Sequence, residues 1–335
     1  MRKARQACWL AAITVCFSCS ENRWESDTKS IDYRPSFVRL DHMVFDPSHT
    51  PSLAEFYRNR PEIVNAYTFD IMQIAPYGNA MTQTLLDGFR TDPNWQEMQA
   101  IVDQTFPDLK KEEAELGSAL KRYAVFFDRS DLPLLVAYNS GFNYGVYPDS
   151  TWLGIGLEWY CGGDNAVVKR LPPDLFPQYK RQNMATEYLV PNALTGWISV
   201  KMERKFQGNR LLDYMIFAGK ARYTAEVLLE SRPTANIFNY SEKEMAFCIE
   251  NEFKMWDFIV GKDLLFTTDL KIINQFTGDG PFTPGMPPES PGGVANWLGY
   301  RMVNAYMEAK KDKTLLQLWD SKEAQEILKY YKPKK

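Results

Sequence analysis

The sequence runs LPLLVAY from Leu132 to Tyr138 and TWLGIGLEW from Thr151 to Trp159. Both runs are short and apolar, and the second alternates leucine and isoleucine with glycine, which is typical of buried β-strands. The linker Phe142–Asp149 (FNYGVYPD) is rich in turn-forming residues. These features predict a β-hairpin, and the glycines leave one face of the second strand open to close approach by another backbone.

Helical patterns dominate on both sides of this pair. Ser52 begins an S-x-x-E capping box, Asp92-Pro93 opens a helical segment to Phe106, and Lys110–Phe127 has apolar residues three and four positions apart. A long loop is predicted over Thr277–Gly293. Further helices are predicted over about 181–202, 211–229, 242–259, 294–310 and 315–331. The predicted fold class is therefore α+β, predominantly α-helical with a small β-sheet.

The N-terminus has the features of an exported lipoprotein. Residues 1–18 have a basic start, an apolar run too short to cross a bilayer and no acidic residue, which predicts a signal peptide. The segment Cys16-Phe17-Ser18-Cys19 resembles a bacterial lipobox, although a lipobox normally has leucine where Cys16 stands. Cys19 is thus the expected lipidation site, and acyl chains such as palmitate would hold the protein on a membrane. The alternative is an ordinary signal peptide cut nearby.

These features predict a lipid-anchored protein of the cell envelope, with the outer membrane as the expected location. Residues 19–52 are polar at first and predict an N-terminal tether, with a candidate strand within Asp32–Phe45. Residues 53–335 are predicted to form a single domain. Cys161 and Cys248 could pair in an oxidising envelope, but two buried free thiols are favoured.

The charge balance and the histidine content limit the chemistry. The chain has 39 basic and 42 acidic residues, a net charge of -3, which argues against a nucleic-acid partner. The two histidines are His42 and His49, and their polar, proline-bounded stretch favours surface histidines over metal ligands.

The segment Met184–Val190 (MATEYLV) is predicted to be helical and invites comparison with zinc peptidases. Those enzymes use H-E-x-x-H, in which two histidines four positions apart bind zinc and the glutamate deprotonates the bound water. Here Thr186 and Val190 stand at the histidine positions, and Glu187 alone is retained. Ala218 stands where a third ligand is expected. The sequence therefore predicts no metal, no cofactor and no catalytic residue.

Several segments in fixed order resemble the gliding-motility-associated lipoprotein GldB family of Bacteroidota. They are Ser140–Asn143 (SGFN), Gly154–Tyr160 (GIGLEWY), Tyr179–Met184 (YKRQNM), Glu187–Pro191 (EYLVP), Gly219–Ala221 (GKA), Glu250 and Glu252 before Trp256, Glu289–Gly293 (ESPGG) and Trp297–Gly299 (WLG). The resemblance implies an envelope lipoprotein linked to gliding motility and its associated secretion machinery. It also implies a zincin-like body, related to zinc peptidases, whose H-E-x-x-H motif is degenerate.

Three hypotheses follow for the function. The first is a non-catalytic lipoprotein whose peptidase-like cleft binds envelope protein partners or gives structural support; candidate cleft residues are Phe142, Asn143, Tyr144 and Glu187. The second is an active zinc metallopeptidase with atypical ligands, in which His42 or His49 folds back beside Glu187. The third is a solitary surface lipoprotein that binds peptides or glycans. For Glu187 itself, a surface carboxylate bonded to a neighbour such as Arg181 or Lys180 is favoured over a general base.

Overall fold

The computed structural model describes residues 23–204, 206–230 and 232–334. The predicted signal peptide, residues 1–18, and Cys19 lie outside the described residues. Within the described part of the chain, no helix is both long enough and apolar enough to pass through a bilayer.

Seventeen α-helices surround a small sheet in the described residues. The strands are β1 Phe37–Arg39, β2 Leu134–Tyr138, β3 Val146–Pro148 and β4 Trp152–Gly156. The helices are α1 Leu40–Phe45, α2 Leu53–Asn59, α3 Pro61–Asn65, α4 Ala80–Thr91, α5 Pro93–Thr105, α6 Lys110–Phe127, α7 Ala166–Arg170, α8 Gln178–Gln182, α9 Leu189–Glu203, α10 Leu211–Leu228, α11 Thr234–Phe238, α12 Glu242–Glu250, α13 Glu252–Gly261, α14 Leu270–Thr277, α15 Val294–Ala309, α16 Leu315–Asp320 and α17 Ala324–Leu328. Ala66–Ile71 is π-helical, and Leu157–Tyr160 and Thr186–Tyr188 are 3-10 turns. The α+β class with a predominance of helix is confirmed.

The sheet is mixed, with strand order β1-β2-β4-β3. β1 and β4 both pair parallel with β2, and β3 pairs antiparallel with β4. The predicted hairpin between the two long strands is therefore wrong. The connection between them is long enough for a parallel crossover. Within it, β3 runs antiparallel to both long strands and returns the chain to the end of the sheet where β4 begins. The hairpin joins β3 to β4, where the Asp149 carboxylate accepts a hydrogen bond from the Thr151 amide at 2.9 Å.

The N-terminal strand is shorter than predicted. Asp32–Phe45 contains only three strand residues, and α1 begins at Leu40. Leu40, Met43 and Val44 are all buried, and their spacing fits the period of a helix rather than that of a strand. From Arg23 onward, the described part of the predicted tether contacts the body of the protein.

Local signals placed the starts of several helices correctly. Ser52 and Ser241 both form complete capping boxes, and the Asp92 side chain accepts from the amides of Asn94 and Trp95. The helix predicted over 242–259 is broken at Asn251, and the one predicted over 315–331 is two short helices. Thr277–Gly293 lacks secondary structure after the end of α14, as predicted.

Helices α10 and α15 cross at the centre of the larger core. A Cβ atom at Gly219 would collide with the backbone of Gly299, and one at Gly299 would collide with the carbonyl of Met215. The two glycines are therefore required for the helix backbones to touch. This contact gives a physical reason for two of the segments that carry the family resemblance, Gly219–Ala221 and Trp297–Gly299.

The sheet separates two hydrophobic clusters. Leu135 and Ala137 of β2 point into the larger cluster, beside α6, α9 and α10, while Val136 and Tyr138 point into a smaller one beside α1 to α4. The face of β4 that carries Gly154 and Gly156 lies on the side of the sheet with the smaller cluster. The predicted close backbone approach occurs at Gly156, which the Tyr144 carbonyl contacts, whereas the aromatic rings of Tyr138 and Trp152 cover Gly154.

Candidate functional site

The degenerate motif lies at a helix start rather than within a helix. Thr186–Tyr188 forms a 3-10 turn and α9 begins at Leu189, so the helical prediction for Met184–Val190 is wrong over most of its length. Pro191 falls in the first turn of α9, where the missing N–H would have no helical partner in any case. The proline thus favours a helix that starts here.

The motif residues do not bring metal ligands together. Val190 is 1% exposed and belongs to the hydrophobic core, and Ala218 lies half-buried on α10. Glu187 is exposed; its carboxylate accepts from the Asn236 amide nitrogen at 3.4 Å, and its backbone carbonyl accepts from Arg232 at 3.2 Å. The predicted surface carboxylate thus bonds to Asn236 rather than to Arg181 or Lys180, the neighbours named from the sequence.

The candidate cleft residues Phe142, Asn143 and Tyr144 lie on a loop at the carboxyl end of β2. Phe142 is buried, while Asn143 and Tyr144 are exposed. Gly141 and Phe142 have φ of +64° and +67°, so two successive residues adopt the left-handed conformation. Ser140 holds the loop, because its Oγ accepts from the amides of Asn143 and Tyr144, each at 3.1 Å.

A buried carboxyl group lies beneath this loop. Oε1 of Glu158 accepts from the Ser140 amide at 2.8 Å, the Ser140 hydroxyl at 2.6 Å and the Phe142 amide at 3.1 Å. Oε2 is buried without a hydrogen-bond partner. Burial raises the pKa of Glu158 to about 7, against the lowering effect of these hydrogen bonds. The group thus sets the shape of the loop, and its charge changes near neutral pH.

The rings of His42 and His49 lie close together near the end of β1. Their ring centroids are 5.8 Å apart, and Nε2 of His42 lies 3.0 Å from the Asp103 carboxylate. Asp41, His42 and Asp103 have donor atoms close enough to share an ion. However, Arg39 already forms a two-point ion pair with Asp41, at 2.9 and 2.6 Å. These contacts fit an ion-pair network, and neither histidine shares a described contact with Glu187.

A cleft of about 880 Å³ opens between the end of α9, the middle of α10 and the turn between α16 and α17. Lys220 lines it, is 6% exposed, and donates from Nζ to the Ser321 carbonyl at 2.5 Å. Burial lowers the pKa of this ammonium to about 8. Sequence reasoning missed both Lys220 and Glu158. The only available signal was their position within the segments Gly219–Ala221 and Gly154–Tyr160, because burial depends on distant parts of the chain.

One comparison with known proteins identified a relationship. The family model described as gliding motility protein GldB, which its label marks as a lipoprotein family, matches residues 21–333. The searches of curated proteins and of solved structures found no match.

Proposed function

The chain belongs to the gliding motility protein GldB family, and from this membership we propose that it is a non-catalytic lipoprotein of the cell envelope. In this proposal Cys19 carries the lipid, the outer membrane holds the anchor, and the body binds protein partners or gives structural support. The process served is gliding motility or the secretion machinery linked to it. The observation that carries the proposal is the family match over residues 21–333.

We further propose that the body is zincin-like. The edge strand β3 runs antiparallel to β4 and packs beside α9, the helix that follows the degenerate motif. A Cβ atom at Gly196 of α9 would lie 3.1 Å from a methyl carbon of Val146 on β3. Peptidases of this class hold extended substrates along such a strand, so the same edge would serve to bind a peptide segment without cutting it.

The absence of catalysis is supported by the side chains at the ligand positions. Valine and alanine provide no donor atom, and Val190 is part of the packed core. Glu187 without a metal has no acidified water to deprotonate. The exposed position of Glu187 fits a surface residue.

Metal analysis of the purified protein tests this proposal. We expect less than stoichiometric zinc, and no difference between the protein and its Glu187→Gln and His42→Ala variants. Glu289→Gln, a change of a surface carboxylate in the long loop, is the matched control. Stoichiometric zinc that is lost in Glu187→Gln or His42→Ala but kept in the control, with proteolysis that stops under chelation, would establish an enzyme instead.

Cross-linking in intact envelopes tests the partner role. A tagged chain should yield stable cross-links to envelope proteins, and the same partners should be recovered without cross-linker after gentle solubilisation. Recovery of the chain alone, together with binding of a peptide or glycan, would favour a solitary binding protein.

A further inference from the structure

The first described residues, Arg23 and Trp24, are fixed on the body of the protein. The Arg23 guanidinium donates to the Met307 carbonyl at 2.7 Å and to the Lys313 carbonyl at 2.6 Å. These carbonyls lie in the last turn of α15 and in the turn that follows it. Carbonyls at a helix C-terminus lack helical partners and carry partial negative charge, so a guanidinium is well suited to bind them.

Trp24 completes the attachment. Its ring packs edge-on against Phe126 of α6 at 5.7 Å and Tyr223 of α10 at 6.3 Å. Its carbonyl accepts from the buried Arg122 side chain at 3.0 Å, and the Arg23 guanidinium lies 4.2 Å from its ring centroid. Three helices therefore hold these two residues, which we call the N-terminal clamp.

The clamp lies very close to the proposed anchor. Cys19 precedes Arg23 by four residues, and an extended chain covers about 3.5 Å per residue, so their Cα atoms are at most about 14 Å apart. This step rests on the proposed lipidation of Cys19. If the anchor is there, the surface around the clamp cannot move far from the bilayer.

The surface beside the clamp is rich in lysine. Within the described residues, the turn after α15 and the segment after α17 carry six lysines. The two segments lie side by side, since Nζ of Lys310 is 5.3 Å from the Tyr330 ring and Tyr330 packs on Tyr306 at 5.5 Å. The acidic residue in these segments is Asp312, and Glu308 of α15 and Glu326 of α17 precede them in the chain. The lysines, which we call the lysine face, are Lys310, Lys311, Lys313, Lys329, Lys332 and Lys334.

We propose that the lysine face lies against anionic lipid headgroups and that the N-terminal clamp fixes this orientation. An anionic membrane attracts lysines only within about a Debye length, roughly 8 Å at physiological salt. The short connection from Cys19 brings the face near that range. The excess of lysine here also contrasts with the net negative charge of the whole chain, -3.

The test uses the full-length mature lipoprotein in phosphatidylcholine vesicles with and without phosphatidylglycerol. Lysines are acetylated with a membrane-impermeant reagent and quantified by mass spectrometry. In vesicles with phosphatidylglycerol, the exposed Lys311, Lys329 and Lys332 should react at least about threefold more slowly than in detergent. Lys111, Lys169 and Lys243, exposed elsewhere, are the internal controls.

Two sets of variants separate the parts of the proposal. Lys311→Glu with Lys329→Glu changes exposed residues only and should abolish the dependence of protection on phosphatidylglycerol. Arg23→Ala with Trp24→Ala should reduce the protection by at least half while the acyl group is retained. Lys29→Ala, an exposed change nearby, should behave as the unaltered protein.

Each outcome has a distinct meaning. Equal acetylation of the lysine face and the control lysines in an acylated protein would overturn the proposed orientation alone. Mass spectrometry that finds no acyl group on Cys19 would overturn the lipidation on which the inference rests.

Discussion

Glu158 combines complete burial with a charge that changes near neutral pH. Its pKa of about 7 exceeds the ordinary value of 4.5, so the folded protein binds this proton more tightly than the unfolded chain does. Stability from this group is therefore fully present below about pH 4.5 and is lost as the pH rises through about 7.

Replacement of Glu158 by glutamine should remove this pH dependence. On going from below about pH 4.5 to above about pH 7, Glu158 should lower the free energy of unfolding by about 3 kcal/mol in the unaltered protein. Denaturant titrations across this range measure the effect, and Glu158→Gln should show a correspondingly flatter profile. Asn143→Ala, an exposed change in the same loop, is the control and should follow the unaltered protein. Identical profiles for the protein and Glu158→Gln would contradict the assignment.

The two described cysteines are free in the structure. Burial raises the pKa of the Cys161 thiol to about 12 and that of Cys248 further, so neither is a reactive thiolate at neutral pH. If Cys19 is acylated as proposed, a chromogenic disulfide reagent should react slowly with the native mature protein and titrate two thiols per chain after unfolding. A titre of zero after unfolding would mean that Cys161 and Cys248 are paired.

At the level of elements, the contact between α10 and α15 leaves no room for a side chain at either of its two glycines. Gly219→Ala or Gly299→Ala places a methyl group against backbone atoms, which cannot move aside as a flexible side chain does. Each change should destabilise the protein by about 3 kcal/mol or more. Gly88→Ala on α4 meets no atom within 4 Å and should instead stabilise by about 0.5–1 kcal/mol. Thermal unfolding compares the three, and similar melting temperatures for all would refute the proposed close packing.

Elements with local signals were predictable from the sequence, whereas their pairing was not. Capping boxes, a proline at the first helical position and apolar periodicity predicted the starts of α2, α5, α6 and α12, because those signals act over a few residues. The parallel pairing of β2 with β4 depends on a crossover that turn chemistry alone does not reveal. The same holds for the candidate site. Glu187 could be identified from a local motif, whereas Glu158 and Lys220 are distinguished only by their burial, which depends on elements distant in the sequence.

At the scale of the whole molecule, a non-catalytic role predicts that the cellular function of the protein does not depend on the Glu187 carboxylate. In a gliding bacterium whose resident copy is replaced by this chain, Glu187→Gln should leave colony spreading and protein level unchanged. Gly299→Leu should abolish both, because a large side chain cannot fit between α10 and α15. Loss of spreading in Glu187→Gln at normal protein level would show that the carboxylate itself takes part in function.

Both edge strands of the sheet, β1 and β3, have only three residues. A long exposed edge offers unpaired amides and carbonyls to the edge of another copy, which is a common route to polymerisation. If the proposed lipid anchor concentrates the protein on a membrane surface, the short outer strands, one of them ending in Pro148, would disfavour edge-to-edge pairing between neighbouring copies.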